Sequence, residues 1–270
     1  MTNIRNALMQ AAGTAASGDP VYVEDVFSTH LSVGTGSAIT VNNGIDLSGE
    51  GGLVIWRRRD SAENWAAQDT ERGVSSVIYL DSTAAEQDLS TYLLASFNNN
   101  GFTTEANAFT NGGDIASWTF RKQEGFFDIV TYTGNGTAGR EISHNLGSTP
   151  GMIAVKALGR SENWLVYHAN LSNPDTKILG FNLNNGEMNQ STPANLHSAT
   201  ATKFEVGNDT SCNNNGDSYV AYLWASGNDS ASQIFGDDGD EAIVKTGTFT
   251  TDGSGDAFIN LGFEPQFVLL

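Results

Sequence analysis

Length, composition and charge already exclude several classes of protein. The chain has 270 residues, which allows about two domains or one large β-rich domain. Lys and Arg number 13 against 31 Asp and Glu, so the net charge is −18, and no basic stripe offsets it. Such a chain repels phosphate backbones and anionic lipid surfaces, and the sequence therefore predicts neither nucleic-acid binding nor membrane binding.

The residue types present also limit the chemistry of the chain. Cys212 is the only cysteine, which excludes an intramolecular disulfide and a cysteine-rich metal site. The sequence contains 30 Gly and 5 Pro and is rich in Asn, Ser and Thr, which is typical of short strands joined by tight turns. We therefore expect a soluble protein, stabilised by packing, that binds no cofactor and no metal.

The first predicted element is a short helix over Thr2–Ala12. A Gly/Ala/Ser-rich tether, Gly13–Pro20, follows it. A helix of this length is marginal in water unless it docks on another surface, so residues 1–20 are predicted to be an anchor that orders on a partner. The alternative is a frayed terminus that caps the first sandwich.

The chain then repeats itself with a spacing of about one hundred residues. Residues 53–65 and 152–164 both read as an apolar strand, a basic residue and a turn that ends in Glu-Asn-Trp, which places Trp65 and Trp164 99 positions apart. Residues 111–120 match residues 215–224 at an offset of 104. The repeat predicts two modules, residues 21–125 and residues 126–242.

A third copy of the repeat begins near Ile243. Residues 243–250 echo residues 129–134, and residues 261–268 match residues 146–153. Residues 243–270 are therefore predicted to be the start of a third, incomplete module, continued by further chain or completed by another subunit. The alternative is a terminal hairpin that packs on the second module.

Each module has the period-two pattern of half-buried strands. The pattern is clear in residues 126–131 and 221–224, and Asn-Gly dipeptides at 43–44, 100–101, 135–136 and 185–186 suit tight hairpins. Regularly spaced short strands predict an all-β fold of tandem jelly-roll sandwiches. A second, weaker helix is predicted over residues 84–94. Trp56, Trp118 and Trp224 lie within strand patterns and are interpreted as core.

Several motifs suggest chemistry, and each has a plainer structural interpretation. Gly134–Gly139 reads Gly-x-Gly-x-x-Gly, but a strand pattern follows where a dinucleotide site needs a helix. The four histidines have no metal-ligand spacing and no Gly-x-Ser-x-Gly motif accompanies them. They are His30, His144, His168 and His197. We predict no catalytic residue, because acids are too common for Glu63, Glu162 or Asp69 to stand out.

Two features remain as candidate binding sites. The acidic run Asp237–Glu241 has oxygen ligands suited to Ca²⁺, but it does not match the EF-hand pattern, and a solvated linker is the favoured interpretation. Trp65 and Trp164 follow polar turns and suit stacking on sugar rings. Their recurrence at equivalent places is also typical of tryptophans packed under a loop, which we favour.

Short phrases in both modules resemble repeat modules of virion proteins of marine bacteriophages, of the kind that infect cyanobacteria and pelagic bacteria. The resemblance covers roughly residues 21–270 and does not extend to residues 1–20. The phrases are Asn43–Val54 with Trp56 and Arg58-Arg59, Asp69–Gly73, Ser96–Phe102, Tyr132–Gly136 and Ile142–Ile153.

The resemblance implies tandem laminin-G or concanavalin-like jelly rolls, a shape used for glycan contact in many proteins and for plain packing in others. It implies a non-enzymatic structural protein of the virion tail, the particle-proximal part of a tail fibre or similar appendage, involved in host attachment and often a homotrimer. Residues 1–20 would dock to tail or portal-adaptor proteins. The alternatives are a capsid-decorating module or a glycan-binding, lectin-like module, and an enzyme of depolymerase type ranks last.

Overall fold

The computed structural model describes residues 19–89, 93–106, 111–190 and 195–270. Its sheets are antiparallel throughout, and this confirms the all-β fold class. The described helix, α1 (Val23–Val26), has four residues. The predicted helix Thr2–Ala12 lies outside the described residues. Within the described ranges, no helix has the length and apolar character needed to cross a membrane.

Nine strands form the first unit. They are β1 (Phe27–Thr35), β2 (Thr40–Asn42), β3 (Gly52–Arg58), β4 (Ala66–Asp69), β5 (Ser76–Tyr79), β6 (Gln87–Asp88), β7 (Leu94–Asn98), β8 (Gly101–Thr104) and β9 (Asn111–Arg121). The larger sheet has six strands in the order β1-β9-β3-β4-β5-β6, and the smaller sheet has the order β2-β8-β7. Together they make one β-sandwich.

Nine further strands form the second unit. They are β10 (Phe127–Thr133), β11 (Arg140–Ser143), β12 (Pro150–Ala157), β13 (Leu165–His168), β14 (Lys177–Ile178), β15 (Met188–Asn189), β16 (Leu196–His197), β17 (Lys203–Val206) and β18 (Ser218–Ala225). The larger sheet runs β10-β18-β12-β13, and a bridge between Val166 and Leu179 brings the β14-β15 pair beside β13. The smaller sheet runs β11-β17-β16. The strand order of the first unit is thus repeated.

The strand register of the two units agrees with the sequence repeat. Phe27 pairs with Phe120 across β1 and β9, and Phe127 pairs with Trp224 across β10 and β18. The first residues of these pairs are 100 positions apart and the second residues 104, which is the offset found for residues 111–120 and 215–224. The two units are therefore copies of one sandwich topology.

Three apolar clusters stack the four sheets into layers. One cluster lies inside the first unit and includes Val41, Leu47, Val54, Trp56 and Phe102. A second lies inside the second unit and includes Ile142, Ile153, Phe204, Tyr219 and Leu223. The third joins the units, with Phe27, Leu53, Ile55 and Phe120 on one side and Phe127, Trp164, Tyr222 and Trp224 on the other. The two larger sheets therefore pack back to back.

This packing explains why the central strands are apolar on both faces. In β3, Leu53 and Ile55 face the second unit, whereas Val54 and Trp56 face the smaller sheet of their own unit. A sheet covered on both faces has near-continuous apolar strands rather than a strict alternation. The prediction that Trp56 and Trp224 are core residues agrees with their burial, 1% and 9% exposed. Trp118, predicted with them, is partly buried and packs against the joint apolar cluster.

The helix predicted over residues 84–94 is wrong. Gln87–Asp88 pairs with β5 as strand β6, and β7 begins at Leu94. The backbone amide of Glu86 donates a hydrogen bond to the carbonyl of Leu158 in the second unit, 2.9 Å away. Strand pairing and contact with the second unit thus override a weak local helical preference.

The residues after β18 form no strand in residues 226–270, all of which the structure describes. Ile243 and Val244 pack against the joint apolar cluster, and the amide of Thr246 donates to the carbonyl of Ser226 at 2.9 Å. The terminal hairpin given as the alternative for residues 243–270 is wrong, because these residues form no strand. The third copy of the repeat stays a prediction that rests on the sequence similarity of residues 243–270.

Candidate functional site

Three equivalent positions in the two units carry a basic residue and two aromatic residues. Each basic residue lies near the end of a central strand, β3 or β12, and each first aromatic residue immediately precedes β4 or β13. The second aromatic residue lies on β9 or β18. We name Arg57, Trp65 and Trp118 the open aromatic face, and Lys156, Trp164 and Tyr222 the buried aromatic face.

Lys156 in the buried aromatic face is a lysine with no exposed surface. Its ammonium donates hydrogen bonds to the carbonyls of Thr83 at 3.1 Å, Glu162 at 2.9 Å and Ala157 at 3.3 Å. Burial lowers the pKa of this ammonium to about 8, with Glu162 acting in the opposite direction. Three carbonyl acceptors match the three donors of an ammonium, so the group is satisfied where it lies.

Trp164 is also fully buried. Its indole Nε1 donates to the carbonyl of Tyr79 in the first unit at 2.9 Å. Its ring stacks with Tyr222, centroids 6.0 Å apart. Tyr79 and Thr83 belong to one segment of the first unit, residues 79–86, which we name the closing loop because it covers Lys156 and Trp164.

A buried polar network fastens the two units beside the closing loop. Arg72 Nε lies 2.6 Å from Asp69 Oδ2, and Arg72 Nη1 lies 2.7 Å from Glu86 Oε2. The hydroxyl of Tyr222 in the second unit donates to Asp69 Oδ2 at 2.8 Å and accepts from Arg72 Nη2 at 3.1 Å. Burial raises the pKa of Tyr222 well above its ordinary value. The hydroxyl is therefore held as a neutral donor.

The open aromatic face has the same residue types but is half-exposed. The Arg57 guanidinium lies over the Trp65 ring, 5.1 Å from its centroid, and the Trp65 and Trp118 rings are 5.1 Å apart. Arg58 and Arg59 continue the basic run and pair with acids of their own unit, Asp60 at 3.0 Å and Asp114 at 3.2 Å. Among the described residues, no acceptor lies within hydrogen-bond distance of the indole nitrogen of Trp65.

A comparison with known protein families shows which family the chain belongs to. Residues 23–270 match the family described as Domain of unknown function (DUF7483). The chain belongs to this family. No curated protein and no solved structure matches the chain. The DUF7483 match includes both units together with the segment that follows β18.

Other residues flank the open aromatic face of this DUF7483 chain. Phe267 lies over the β9 side, with its ring centroid 6.0 Å from Trp118 and 5.9 Å from Phe120. Leu31 and Val33 on the neighbouring edge strand β1 are 65% and 61% exposed. An accessible surface of aromatic, aliphatic and basic side chains thus extends from β1 to Trp65.

The structure separates the two tryptophans that the sequence suggested as sugar platforms. Trp164 is enclosed between the units, so packing is its role in this structure. Trp65 remains half-exposed, but Arg57 and Trp118 already lie against its ring. The preference for packing agrees with the position of Trp164. Trp65 and Trp118 are partly buried and pack against the joint apolar cluster, which leaves only part of the Trp65 ring exposed.

The glycine-rich segment Gly134–Gly139 connects strands β10 and β11. A Cβ on Gly134 would lie 2.0 Å from the carbonyl oxygen of Asn214, so this position needs glycine for close backbone approach. The side chain of Asn213 donates to the carbonyls of Thr137 at 2.8 Å and Gly207 at 2.7 Å. A strand follows the segment, as the sequence indicated. The interpretation of the segment as a hairpin is wrong, because β10 pairs with β18 in the larger sheet and β11 pairs with β17 in the smaller sheet.

Among the described residues, neither the histidines nor the acidic run takes part in a group that could bind a metal ion. In the described ranges, no three His, Cys, Asp or Glu side chains are grouped as a metal site. The acids of the run Asp237–Glu241 are exposed, and its turn is closed by backbone hydrogen bonds between Phe235 and Glu241. Tyr22 donates to Asp237. The run is an exposed turn tied to the start of the first unit, and Ca²⁺ binding by it stays open.

Two buried polar groups were not predicted to be functional residues. Arg72 and Tyr222 are 150 positions apart, and only the fold brings them together. The phrase Asp69–Gly73 was noted for its resemblance, which was the one available signal. At the other end of the interface, buried Asp128 accepts from the amides of Ile129 at 2.8 Å and Asn145 at 2.7 Å, which identifies it as a structural acid.

Proposed function

We propose that this protein is a non-enzymatic structural protein of a bacteriophage virion, the particle-proximal part of a tail fibre or similar tail appendage that takes part in host attachment. The sequence phrases that resemble repeat modules of marine phage virion proteins support the phage assignment. The structural part rests on one observation, the buried interface that joins two copies of a sandwich into a single body.

That interface favours a structural role over catalysis. The buried ionisable groups Asp69, Arg72 and Lys156 are engaged in contacts between or beside the two units. Apolar contact on this scale with satisfied polar groups gives a rigid connection between modules. A rigid connection between modules suits an appendage that projects from a particle.

The proposal is tested by locating the chain in purified particles of the phage that encodes it. We expect immunogold labelling at the tail, and we expect deletion of residues 1–20 to abolish incorporation while the sandwich units remain folded by circular dichroism. Absence of the chain from purified particles would refute the proposal. Release of reducing ends from host polysaccharide by the purified chain would refute its non-enzymatic part.

A capsid-decorating or glycan-binding module is the second candidate. The observation that favours glycan binding is the half-exposed pair Trp65 and Trp118 beside Arg57, since aromatic rings with a polar neighbour suit sugar recognition. Glycan-array binding that is lost in Trp65→Ala, with an unchanged circular dichroism spectrum, would promote this candidate. The ring contacts already made by Trp65 are the reason why we rank it second.

A further inference from the structure

We propose that the open aromatic face of one copy receives residues 180–187 of a second copy of the chain, which we name the free loop. The free loop of one copy would cover Arg57 and Trp65 of another copy, as the closing loop covers Lys156 and Trp164 within one copy. The inference rests on the equivalence of the two units and does not depend on the virion assignment. Its steps are the equivalence of the loops, the accessibility of both partners and the charge of the receiving face.

The free loop and the closing loop are equivalent by strand register. Val77 pairs with Gln87, and Ile178 pairs with Met188. Both pairs are related by an offset of 101, which equates Tyr79 with Gly180, Thr83 with Asn184 and Glu86 with Glu187. A pair of hydrogen bonds supports the same equivalence of the two loops. Asp81 accepts from the amide of Trp65 at 3.1 Å, and Asn182 accepts from the amide of Trp164 at 2.9 Å.

The free loop is available because nothing in the second unit's own surroundings covers its tip. Asn184, Asn185, Gly186 and Glu187 are all exposed, and a Cβ built on Gly186 meets no atom within 4 Å. The closing loop is already engaged, since the carbonyls of Tyr79 and Thr83 accept from the second unit. Of these two equivalent loops, the closing loop is therefore engaged with the other unit, whereas the tip of the free loop is exposed.

The receiving face is available and chemically equipped in the same way. An offset of 99 equates Lys156 with Arg57, Glu162 with Glu63 and Trp164 with Trp65. Arg57 and the amide of Glu63 would donate to the carbonyl of Asn184, as Lys156 and the amide of Glu162 do to that of Thr83. The indole nitrogen of Trp65 would donate to the carbonyl of Gly180, as Trp164 does to that of Tyr79.

Two local features of the receiving face suit this contact. Ala62, Glu63 and Asn64, which precede Trp65, are exposed. Arg58 and Arg59 are paired with Asp60 and Asp114 of their own unit, which leaves Arg57 as the basic group that a partner would meet. The Glu187 carboxylate of the free loop accepts hydrogen bonds from Ser172 of its own chain. The net charge of −18 on a second copy favours its approach to Arg57.

A contact between a loop of one copy and a different surface of the next is heterologous. Such contacts close into a ring or continue as a filament, and each copy has one loop and one face to offer. The joint apolar cluster of each copy is already buried within that copy. The contact between two copies would therefore contain the loop contact but no shared apolar cluster. We therefore expect a weak association, which is best detected by trapping it covalently.

The experiment traps the contact with two cysteine variants placed on different copies. The hydroxyls of Ser161 and Thr83 lie 3.2 Å apart within one copy, and their equivalents are Ala62 on the receiving face and Asn184 on the free loop. Full-length Ala62→Cys and Asn184→Cys chains are mixed under mild oxidation with copper-phenanthroline. Cys212, the only native cysteine, is buried and its thiol pKa is raised to about 12, so it does not compete.

We expect this mixture to give several-fold more cross-linked dimer than Ala62→Cys mixed with the exposed control Ser230→Cys. Adding Arg57→Glu to the Ala62→Cys chain is expected to lower the yield to that of the control. Adding Arg57→Lys is expected to preserve the yield, because Lys156 serves at the equivalent position. Equal yields with the two cysteine partners, or a yield unaffected by Arg57→Glu in a chain with a native circular dichroism spectrum, would overturn the proposal.

Discussion

Two equivalent faces of this protein differ in what covers them. Lys156, Trp164 and Tyr222 in the second unit are buried beneath the first unit. Arg57 and Trp65 in the first unit occupy the same places in the repeat and remain half-exposed. Recurrence of a residue in a duplicated chain therefore does not fix its role, because the neighbouring unit decides whether that residue is interior or surface.

The basic residue of each face suits its surroundings. Lys156 has a compact ammonium that three carbonyl oxygens surround. Arg57 has a planar guanidinium, which lies over the ring of Trp65 where water still reaches it. A buried ammonium is satisfied by point contacts, whereas a guanidinium stacks well on an aromatic surface.

The largest expected difference between the two faces is in the cost of removing a tryptophan. We expect Trp164→Ala to lower the free energy of unfolding by about 3–5 kcal/mol, since it removes a fully buried ring. Trp65→Ala, the matched change at the equivalent position, is expected to cost less, about 2 kcal/mol, because its ring packs against the joint apolar cluster but stays partly exposed. Denaturant unfolding of the two variants measures both values, and equal costs would contradict the comparison.

A similar loss is expected when the polar network between the units is broken. Arg72→Met leaves the buried carboxylate of Asp69 without its cation, and we expect a loss of about 3–5 kcal/mol in unfolding free energy. Arg58→Met is the control, because the Arg58–Asp60 pair is partly exposed and is expected to contribute about 0–1 kcal/mol. Thermal and denaturant unfolding measure the two losses, and a small effect of Arg72→Met would show that the network does not hold the units together.

A smaller effect is expected from removing one hydroxyl. Tyr222→Phe keeps the stacked ring but removes the donor to Asp69 and the acceptor for Arg72. We expect a loss of about 1–3 kcal/mol in unfolding free energy, since a buried hydrogen bond to a charged group is lost. The double variant with Asp69→Asn is expected to lose less than the sum of the single variants. Additive losses would show that Tyr222 and Asp69 are not energetically coupled, which would contradict the network.

The smallest predicted effect is a dependence of stability on pH. Burial lowers the pKa of Lys156 to about 8, so between pH ~8 and the ordinary lysine value of ~10.4 the unfolded chain binds more protons than the folded chain. The unfolding free energy contributed by this group therefore rises with pH in that window. Measured between pH 7.5 and 9.5, the stability gap between the native chain and Lys156→Met should widen.

Other groups titrate in the same window, so the comparison between variants is needed. Burial raises the pKa of Cys212 to about 12, and an unfolded thiol ionises near ~8.5, so Cys212 lowers stability as pH rises. This effect is common to the native chain and Lys156→Met and cancels in their difference. Arg57→Met is the control from the open aromatic face, and its stability gap should not change with pH. A constant gap for Lys156→Met would contradict the assignment of the lowered pKa.

The repeat and the fold class were predictable because they depend on local patterns. Period-two alternation and Asn-Gly turns indicate strands and hairpins wherever the fold places them. The offset of 104 between residues 111–120 and 215–224 recurs in the structure, where Phe120 and Trp224 occupy equivalent positions in their strand pairs. Trp56 and Trp224 were recognised as core for the same reason.

The packing of the two units was not predictable from those patterns. Tyr222 and Asp69 are 153 positions apart, and their hydrogen bond exists because two larger sheets lie back to back. The helix wrongly predicted over residues 84–94 failed for the same reason, since the amide of Glu86 donates to the carbonyl of Leu158 in the second unit. Contacts between units override a local preference that is worth only a few tenths of a kcal/mol per residue.

The central claim is that the two units form one body through the shared apolar cluster and the closing loop. Equilibrium unfolding in guanidinium chloride, followed by tryptophan fluorescence and far-UV circular dichroism, tests it most directly. We predict a single transition with the same midpoint for both probes, because unfolding either unit exposes the shared cluster of Phe120, Trp164 and Tyr222. Two separate transitions, one for each sandwich, would contradict the account.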